Sequence, residues 1–254
     1  MYWGYNLLDG TLPNVNTKKQ SYGYQKIKFK FEKDMFEIAG NVISGTVLQK
    51  NWFPKVDADV FISHSHIDKP KAEKLAIWLE ECFGLTSFID SFSWGYKDDL
   101  IKSVIKKLNK PSINIIDVIK ISDHITTILQ GAIVNLMIKT DCFIFINTKN
   151  SINVSLLTHE ESITYSPWLY FELLLAKSIE KRRMGYRNVQ IKDSKSHDSF
   201  KKVLDIPNIE HKAHIEDLKT INYDVLKLWM NSRKSANEGD PLDTLEKIVH
   251  SKAK

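Results

Sequence analysis

From Val56 onward the chain alternates between short apolar stretches and longer amphipathic ones. Ala58-Asp59-Val60-Phe61-Ile62-Ser63 is brief, rich in β-branched and aromatic residues, and followed by a polar turn, which predicts a strand. Ala72, Leu75, Ala76, Leu79, Cys82 and Phe83 then recur at i, i+3, i+4 and i+7 spacings, a helix with one apolar face. Asp68 is placed to cap that helix, Pro70 suits its first turn, and Gly84 suits its end. Thr86-Ser87-Phe88-Ile89 reads as the next strand. Two strands joined by an amphipathic helix predict parallel pairing, because the crossover returns the chain to the same sheet edge.

The same alternation continues. Asp98 to Leu108 has helical character, Pro111 breaks it, and Ile113 to Ile121 fits either helix or strand. Ile125, Ile128, Leu129, Ala132, Ile133 and Leu136 predict a helix over 123–138. Cys142-Phe143-Ile144-Phe145-Ile146 is a continuous apolar run, as expected of a strand buried on both faces. Ser166-Pro167 opens a helix reaching about Arg183, with Ser at the cap and Pro at the first position. Residues 187–200 are polar, 214–234 hold a strand or helix with Leu226, Leu228 and Trp229, and Asp240-Pro241 begins a terminal helix. Upstream, Ile27-Lys28-Phe29-Lys30-Phe31 alternates as a half-buried strand does, and a second β-prone stretch runs from Asn41 to Leu48, interrupted by Gly45. The expected organisation is a β-rich N-terminal extension over 1–55, an α/β domain with a central parallel sheet over 56–234, and a helical tail over 235–254. No internal repeat or low-complexity tract is present.

Composition narrows the class. Of 254 residues, 43% are hydrophobic and 26% charged, which argues against disorder, collagen and coiled coil. Six Trp, nine Tyr and twelve Phe supply a core and leave aromatic faces for ligands. The formal charge of +5 comes from 36 Lys+Arg against 31 Asp+Glu. Its basic doublets, and the triplet Lys181-Arg182-Arg183, are dispersed among acids. Solvated helix faces account for them better than a nucleic-acid surface, which needs clustering. Cys82 and Cys142 make no disulfide framework or metal spacing. The N-terminus lacks a signal-peptide pattern, and no run approaches the ~20 apolar residues that cross a bilayer. A cytoplasmic protein without membrane contact is the expectation.

Three segments carry candidate chemistry. His64-Ser65-His66-Ile67-Asp68 follows a strand directly, and two imidazoles with a carboxylate at that spacing suit Zn²⁺, as in a hydrolase. The position after Asp68 is Lys69 where such motifs continue with His, and a polar loop with Asp68 as helix cap is the alternative. In Ser166-Pro167-Trp168-Leu169-Tyr170-Phe171-Glu172, Trp168 and Glu172 share one helical face with Leu175, Ala176 and Ile179. A carboxylate in line with apolar positions is costly unless paired or used. Third, Asp90-Ser91-Phe92-Ser93-Trp94-Gly95-Tyr96 leaves the C-terminal end of a parallel strand, where open α/β sheets bind ligands. It is expected to be a loop, one that either binds a ligand or packs its aromatics elsewhere.

Taken together these segments resemble a TIR (Toll/interleukin-1 receptor) domain. Asp59-Val60-Phe61-Ile62-Ser63 resembles the family's first box. Ser87-Phe88-Ile89-Asp90 with Gly95 resembles the second strand and BB loop. Phe143-Ile144-Phe145-Ile146, followed by Ser166-Pro167-Trp168 and Glu172, resembles the third strand and the S-x-W-x-x-x-E helix. The likeness covers 56–180 clearly and 181–230 loosely, and it implies a flavodoxin-like fold. It departs from the family at His64-Ser65-His66, in a shorter loop after Asp90, and in longer segments at 100–122 and 147–165. Such domains either scaffold signalling or cleave NAD⁺ at the nicotinamide–ribose bond. The resemblance puts the catalytic carboxylate at Glu172, with Trp168 as a ring wall and Asp90 near the ribose. Trp94 and Tyr96 would stack on a base, and Phe61 and His64-Ser65-His66 would complete the substrate contacts. NAD⁺ is then substrate, with no separate cofactor or metal. A chain of this organisation resembles Thoeris-type anti-phage TIR proteins, which make an ADP-ribose-type signal, cyclic in some, for a separate effector. Such sites assemble through homo-oligomeric contacts. A non-catalytic interaction module and a zinc hydrolase are the alternatives.

Overall fold

The structure is a computed structural model that describes residues 3–13, 38–39, 42–52, 57–89, 91–108, 113–184, 209–235 and 239–252. In chain order the elements are β1 (Trp3–Leu8), β2 (Ile38–Ala39), β3 (Val42–Ile43), α1 (Gly45–Trp52), β4 (Val60–Ser63) and a 3₁₀ turn (His66–Asp68). Next come α2 (Lys69–Phe83), β5 (Ser87–Ile89), α3 (Ser91–Leu108), α4 (Ile115–Lys139) and β6 (Cys142–Asn147). The chain finishes with β7 (Asn153–Val154), β8 (Ser162–Thr164), α5 (Pro167–Met184), β9 (His211–Lys212), β10 (Lys219–Ile221), α6 (Tyr223–Ser235) and α7 (Pro241–Lys252).

Five strands form one all-parallel sheet in the order β10-β1-β6-β4-β5. This is the parallel α/β sheet expected from the strand–helix alternation, and it is consistent with the flavodoxin-like fold that the resemblance implies. β4 pairs β5 from Val60↔Ser87 to Ile62↔Ile89, and β6 from Val60↔Cys142 to Ser63↔Phe145. The Asp59 carboxylate accepts from the Thr86 N–H at 2.7 Å and the Thr86 hydroxyl at 2.8 Å, fixing the start of that register.

The two-residue period of the strands sorts the side chains into two chemically distinct faces. Val60, Ile62, Cys142, Ile144 and Ile146 point to one side, joined by Tyr5 and Leu7, and α2, α6 and α7 cover them. Phe61, Phe143 and Phe145 point to the other, joined by Phe88, and α4 and α5 cover them. The phenylalanines stack, with the Phe61 centroid 5.9 Å from Phe143 and 5.4 Å from Phe88. Each fully buried ring contributes on the order of 1.5–3 kcal/mol.

The N-terminal segment differs from expectation. Instead of standing wholly in an extension, its first strand, β1, lies inside the main sheet between β6 and β10. It pairs with β6 along its whole length, from Trp3↔Cys142 to Leu8↔Asn147. The turn that follows needs a left-handed Gly10 (φ +60°), where a Cβ would come within 3.0 Å of Ile146. The stretch from Asn41 divides into the short β2–β3 pair and helix α1. Ile27 to Phe31 lies outside the described residues.

The C-terminal helices belong to the core. Leu242, Leu245 and Val249 of α7 are buried against the aliphatic face. Trp229 of α6 stacks on Phe83 with centroids 3.9 Å apart, and its indole N–H donates to the Pro241 carbonyl at 2.9 Å. Asp240 caps α7 by accepting from the Leu242 N–H at 2.8 Å. The Tyr5 hydroxyl donates to Glu246 at 3.1 Å, and Lys219 pairs with the same carboxylate, so β1, β10 and α7 are held together.

The ambiguous stretch before Ser122 resolves as helix. α4 is continuous over 25 residues, capped by Asn114, whose side chain accepts from the Asp117 N–H at 2.9 Å. Contrary to the sequence expectation, α4 is long and apolar enough to cross a membrane by length and composition. Its stripe Ile125, Leu129, Ile133 and Met137 is buried against neighbouring elements, while only 22% of its apolar window is buried.

Candidate functional site

The alternation that sorts the sheet also aims the site. Ser63 lies two residues after Phe61, so it faces the phenylalanine side and the covering helix α5. α5 begins as the Ser-Pro pair predicts, with the Ser166 hydroxyl accepting from the Leu169 N–H at 3.3 Å. Glu172, five residues after Pro167, turns inward with Leu169, Leu173 and Ala176 and is fully buried. The Ser63 hydroxyl donates to Glu172 Oε2 at 2.5 Å. A charge-assisted bond of this kind offsets part of the cost of burying a carboxylate. This joins the C-terminal edge of β4 to the first turns of α5.

Trp168, one turn earlier, is 8% exposed and packs among Phe61, Phe143 and Leu169. Lys97 of α3 sits over its ring, 5.8 Å from the centroid, which brings α3 beside the start of α5. Phe61, expected to touch substrate, is completely buried between Phe88 and Phe143 and offers no face to a ligand. It supports the sheet beneath Ser63. The expected loop from Ser91 to Tyr96 is the opening of helix α3 instead. The segment holds no Pro, and Gly95 is its one strong helix-disfavouring residue, so it can take helical geometry. Trp94 and Tyr96 therefore stand on a helix, while their side chains and Asp90 lie outside the described residues.

Beside Glu172, at the same sheet edge, is a cleft of about 310 Å³. One wall is His64, Ser65, His66 and Ile67. The other is Asn150, Ser151 and Asn153, with Thr164, Tyr165, Ser166 and Leu169 closing it toward α5. Its wall stops at Leu169, so Glu172 lies one turn deeper. Thus the structure brings His64, Ser65 and His66 to one cleft and puts Glu172 and Trp168 behind it.

Asp68 does not cap α2 with its side chain. Its backbone is turned (φ −88°, ψ 9°), away from the extended geometry of a capping residue. The buried carboxylate instead accepts from Thr148 at 2.5 Å, Ser65 at 2.7 Å and Asn150 at 3.2 Å, with Lys71 at 3.4 Å. Burial alone would raise this carboxyl; the bonds from Thr148, Ser65 and Asn150, with Lys71, outweigh it and hold the group below its ordinary value. Asp68 therefore pins the two walls of the cleft to each other. Among the described residues no three His, Cys, Asp or Glu side chains come together in a metal-binding arrangement. His64, His66 and Asp68 do not converge, because Asp68 is turned into this network.

His64 is 2% exposed, and neither ring nitrogen has a hydrogen-bond partner among the described residues. Burial pushes its pKa down to about 4. The Ile62 carbonyl and Asp68 favour the charged ring, the former without hydrogen-bond geometry, and burial prevails over both. His64 is a neutral imidazole at physiological pH.

Sequence reasoning missed Ser63 as the partner of Glu172, and missed Asn150, Asn153 and Tyr165 as cleft residues. One signal was available: Thr148-Lys149-Asn150 directly follows a buried parallel strand, at the end where such sheets bind ligands. No family model, curated protein or solved structure matches the chain.

Proposed function

We propose that this chain cleaves NAD⁺ at the nicotinamide–ribose bond, with Glu172 as the carboxylate that stabilises the reacting ribose. The observation that carries the reading is the fully buried Glu172, held by Ser63 at the C-terminal edge of a parallel sheet, one helical turn from a cleft. The resemblance to TIR domains supplies the reaction. The C1′–N bond breaks, its electron pair returns to the pyridinium nitrogen, and nicotinamide leaves neutral, so no strong general acid is required. Positive charge develops on the ribose, as in glycoside hydrolysis, and a fixed carboxylate stabilises it without reorganising. Water, or a nucleophilic atom of the same dinucleotide, then bonds to C1′; attack by water releases a proton to solvent and gives ADP-ribose. A cyclic product would serve as a signal for a separate effector, in the manner of the anti-phage TIR proteins that the sequence resembles.

Glu172 has no exposed surface, so the ribose reaches it only after the wall at Leu169 gives way. The same burial favours a second reading, an interaction module in which Glu172 is a structural partner of Ser63. Incubating the protein with NAD⁺ and following nicotinamide by mass spectrometry separates the two. Release of nicotinamide supports the enzyme and identifies the product; intact NAD⁺ under every assembly condition tested supports the module.

A further inference from the structure

We infer that the cleft between His64 and Tyr165 is a binding site for an uncharged, nucleoside-sized ring bearing amide or hydroxyl groups, and that it takes the ring end of a ligand while excluding its phosphates. This rests on the location given under the proposed function and not on the reaction itself.

Size sets the first limit. A volume of about 310 Å³ lies at the lower end of small-molecule sites. One substituted ring or a nucleoside fits there, and a whole dinucleotide does not. The wall chemistry sets the second. Ser65, Asn150, Asn153, Tyr165 and Ser166 bring hydroxyls and amides to a largely apolar wall, and among the described residues neither Lys nor Arg lines the cleft. Asp68, the nearby anion, is already bonded by Ser65, Thr148 and Asn150. Leu169 and Ile67 give an apolar strip for a ring face. Among the described residues a phosphate would find neither Lys nor Arg in this wall, whereas amide and hydroxyl groups find complementary donors and acceptors.

The third observation points to a ligand directly. His64 lines the cleft, is almost wholly buried, and its two ring nitrogens have no partner among the described residues. A neutral imidazole offers one donor and one acceptor; the Ile62 carbonyl lies near the ring without hydrogen-bond geometry, and an unmet ring nitrogen in a buried site is costly. A ligand amide or hydroxyl satisfies either one. Its neutrality matches the uncharged wall around it.

The test uses the full chain labelled with ¹⁵N, titrated separately with nicotinamide, adenosine and inorganic phosphate, while the His64 ring nitrogens are followed by NMR. The expected result is saturable binding of nicotinamide, adenosine or both, a shift of a His64 ring nitrogen, and no saturable response to phosphate. Asn153→Leu should weaken that binding about tenfold, the loss expected for about one good hydrogen bond. Asn153→Asp, which keeps the size but adds charge, should weaken it while the thermal unfolding midpoint shows that the fold persists. Saturable phosphate binding, no response to either neutral ring, or binding that leaves His64 unshifted would each overturn the inference. The Glu172→Gln protein should bind the ring normally, so loss of NAD⁺ cleavage there leaves this inference standing, and loss of ring binding in the active protein leaves the cleavage reading standing.

Discussion

Acidification should weaken this fold through His64 before its carboxylates become protonated. In the folded chain burial holds the imidazole pKa at about 4, against an ordinary 6.5 once unfolded. Between those values the unfolded chain binds the proton that the folded chain refuses, so stability falls as pH is lowered through this window. At about 1.4 kcal/mol for each pH unit, the gap amounts to about 3 kcal/mol lost between pH 7 and pH 4. The side chain is almost completely buried, so solvent screening takes little from that figure. Urea unfolding at a series of pH values, followed by circular dichroism, reads the loss as a falling midpoint. His64→Gln removes the titrating group and keeps a polar side chain, so its curve should flatten across pH 6.5 to 4 whatever its stability at pH 7. Identical slopes for the two proteins would refute the claim that a buried neutral His64 governs this window.

Other consequences follow from the same contacts. Asp68→Asn replaces the charged acceptor of Ser65, Thr148 and Asn150 and should cost about 1–3 kcal/mol, read as a lower urea midpoint at neutral pH. Because the Asp68 carboxyl is held below its ordinary value, its contribution is present above pH 4 and fades as pH falls below the usual carboxylate range; the Asn variant should lose that acid-limb slope. Ser63→Ala strips a donor from the buried Glu172 and should destabilise the fold by about 1–3 kcal/mol, whereas Ser63→Thr retains a hydroxyl and should recover part of the loss. Deleting residues 1–8 removes a strand from between β6 and β10 and should abolish cooperative unfolding in calorimetry; a retained sharp transition would show that the sheet closes without it. Trp229→Ala removes a ring stacked on Phe83 and should cost about 3–5 kcal/mol, measured as a drop in the unfolding midpoint.

The local patterns carried the fold well where burial was regular. The run from Cys142 to Ile146 is buried on both faces and forms β6, and the Ser166-Pro167 start and Gly84 stop fall where their backbone preferences put them. β1 was hard to see because Gly4 and Asn6 interrupt its apolar character, although Asn6 is buried. Its place between β6 and β10 depends on pairing across more than a hundred residues, which no local period encodes. Glu172 was conspicuous as a carboxylate on an apolar helix line. The cleft was less so, because Ser, Asn and Thr residues in turns have no period. Asp68 shows the reason most directly: its position suited a helix cap, but Thr148 and Asn150 from a distant loop compete for the same oxygens and hold them.

Glu172 is proposed to do chemistry as well as to fill a buried site. Glu172→Gln keeps an oxygen that can accept from Ser63 and nearly the same shape, so folding should survive. Nicotinamide release from NAD⁺ should be measured for both proteins in one assay, alongside their unfolding midpoints. The native chain should release nicotinamide and a folded Gln variant none. Equal release from both, or release from neither, would contradict that role for Glu172.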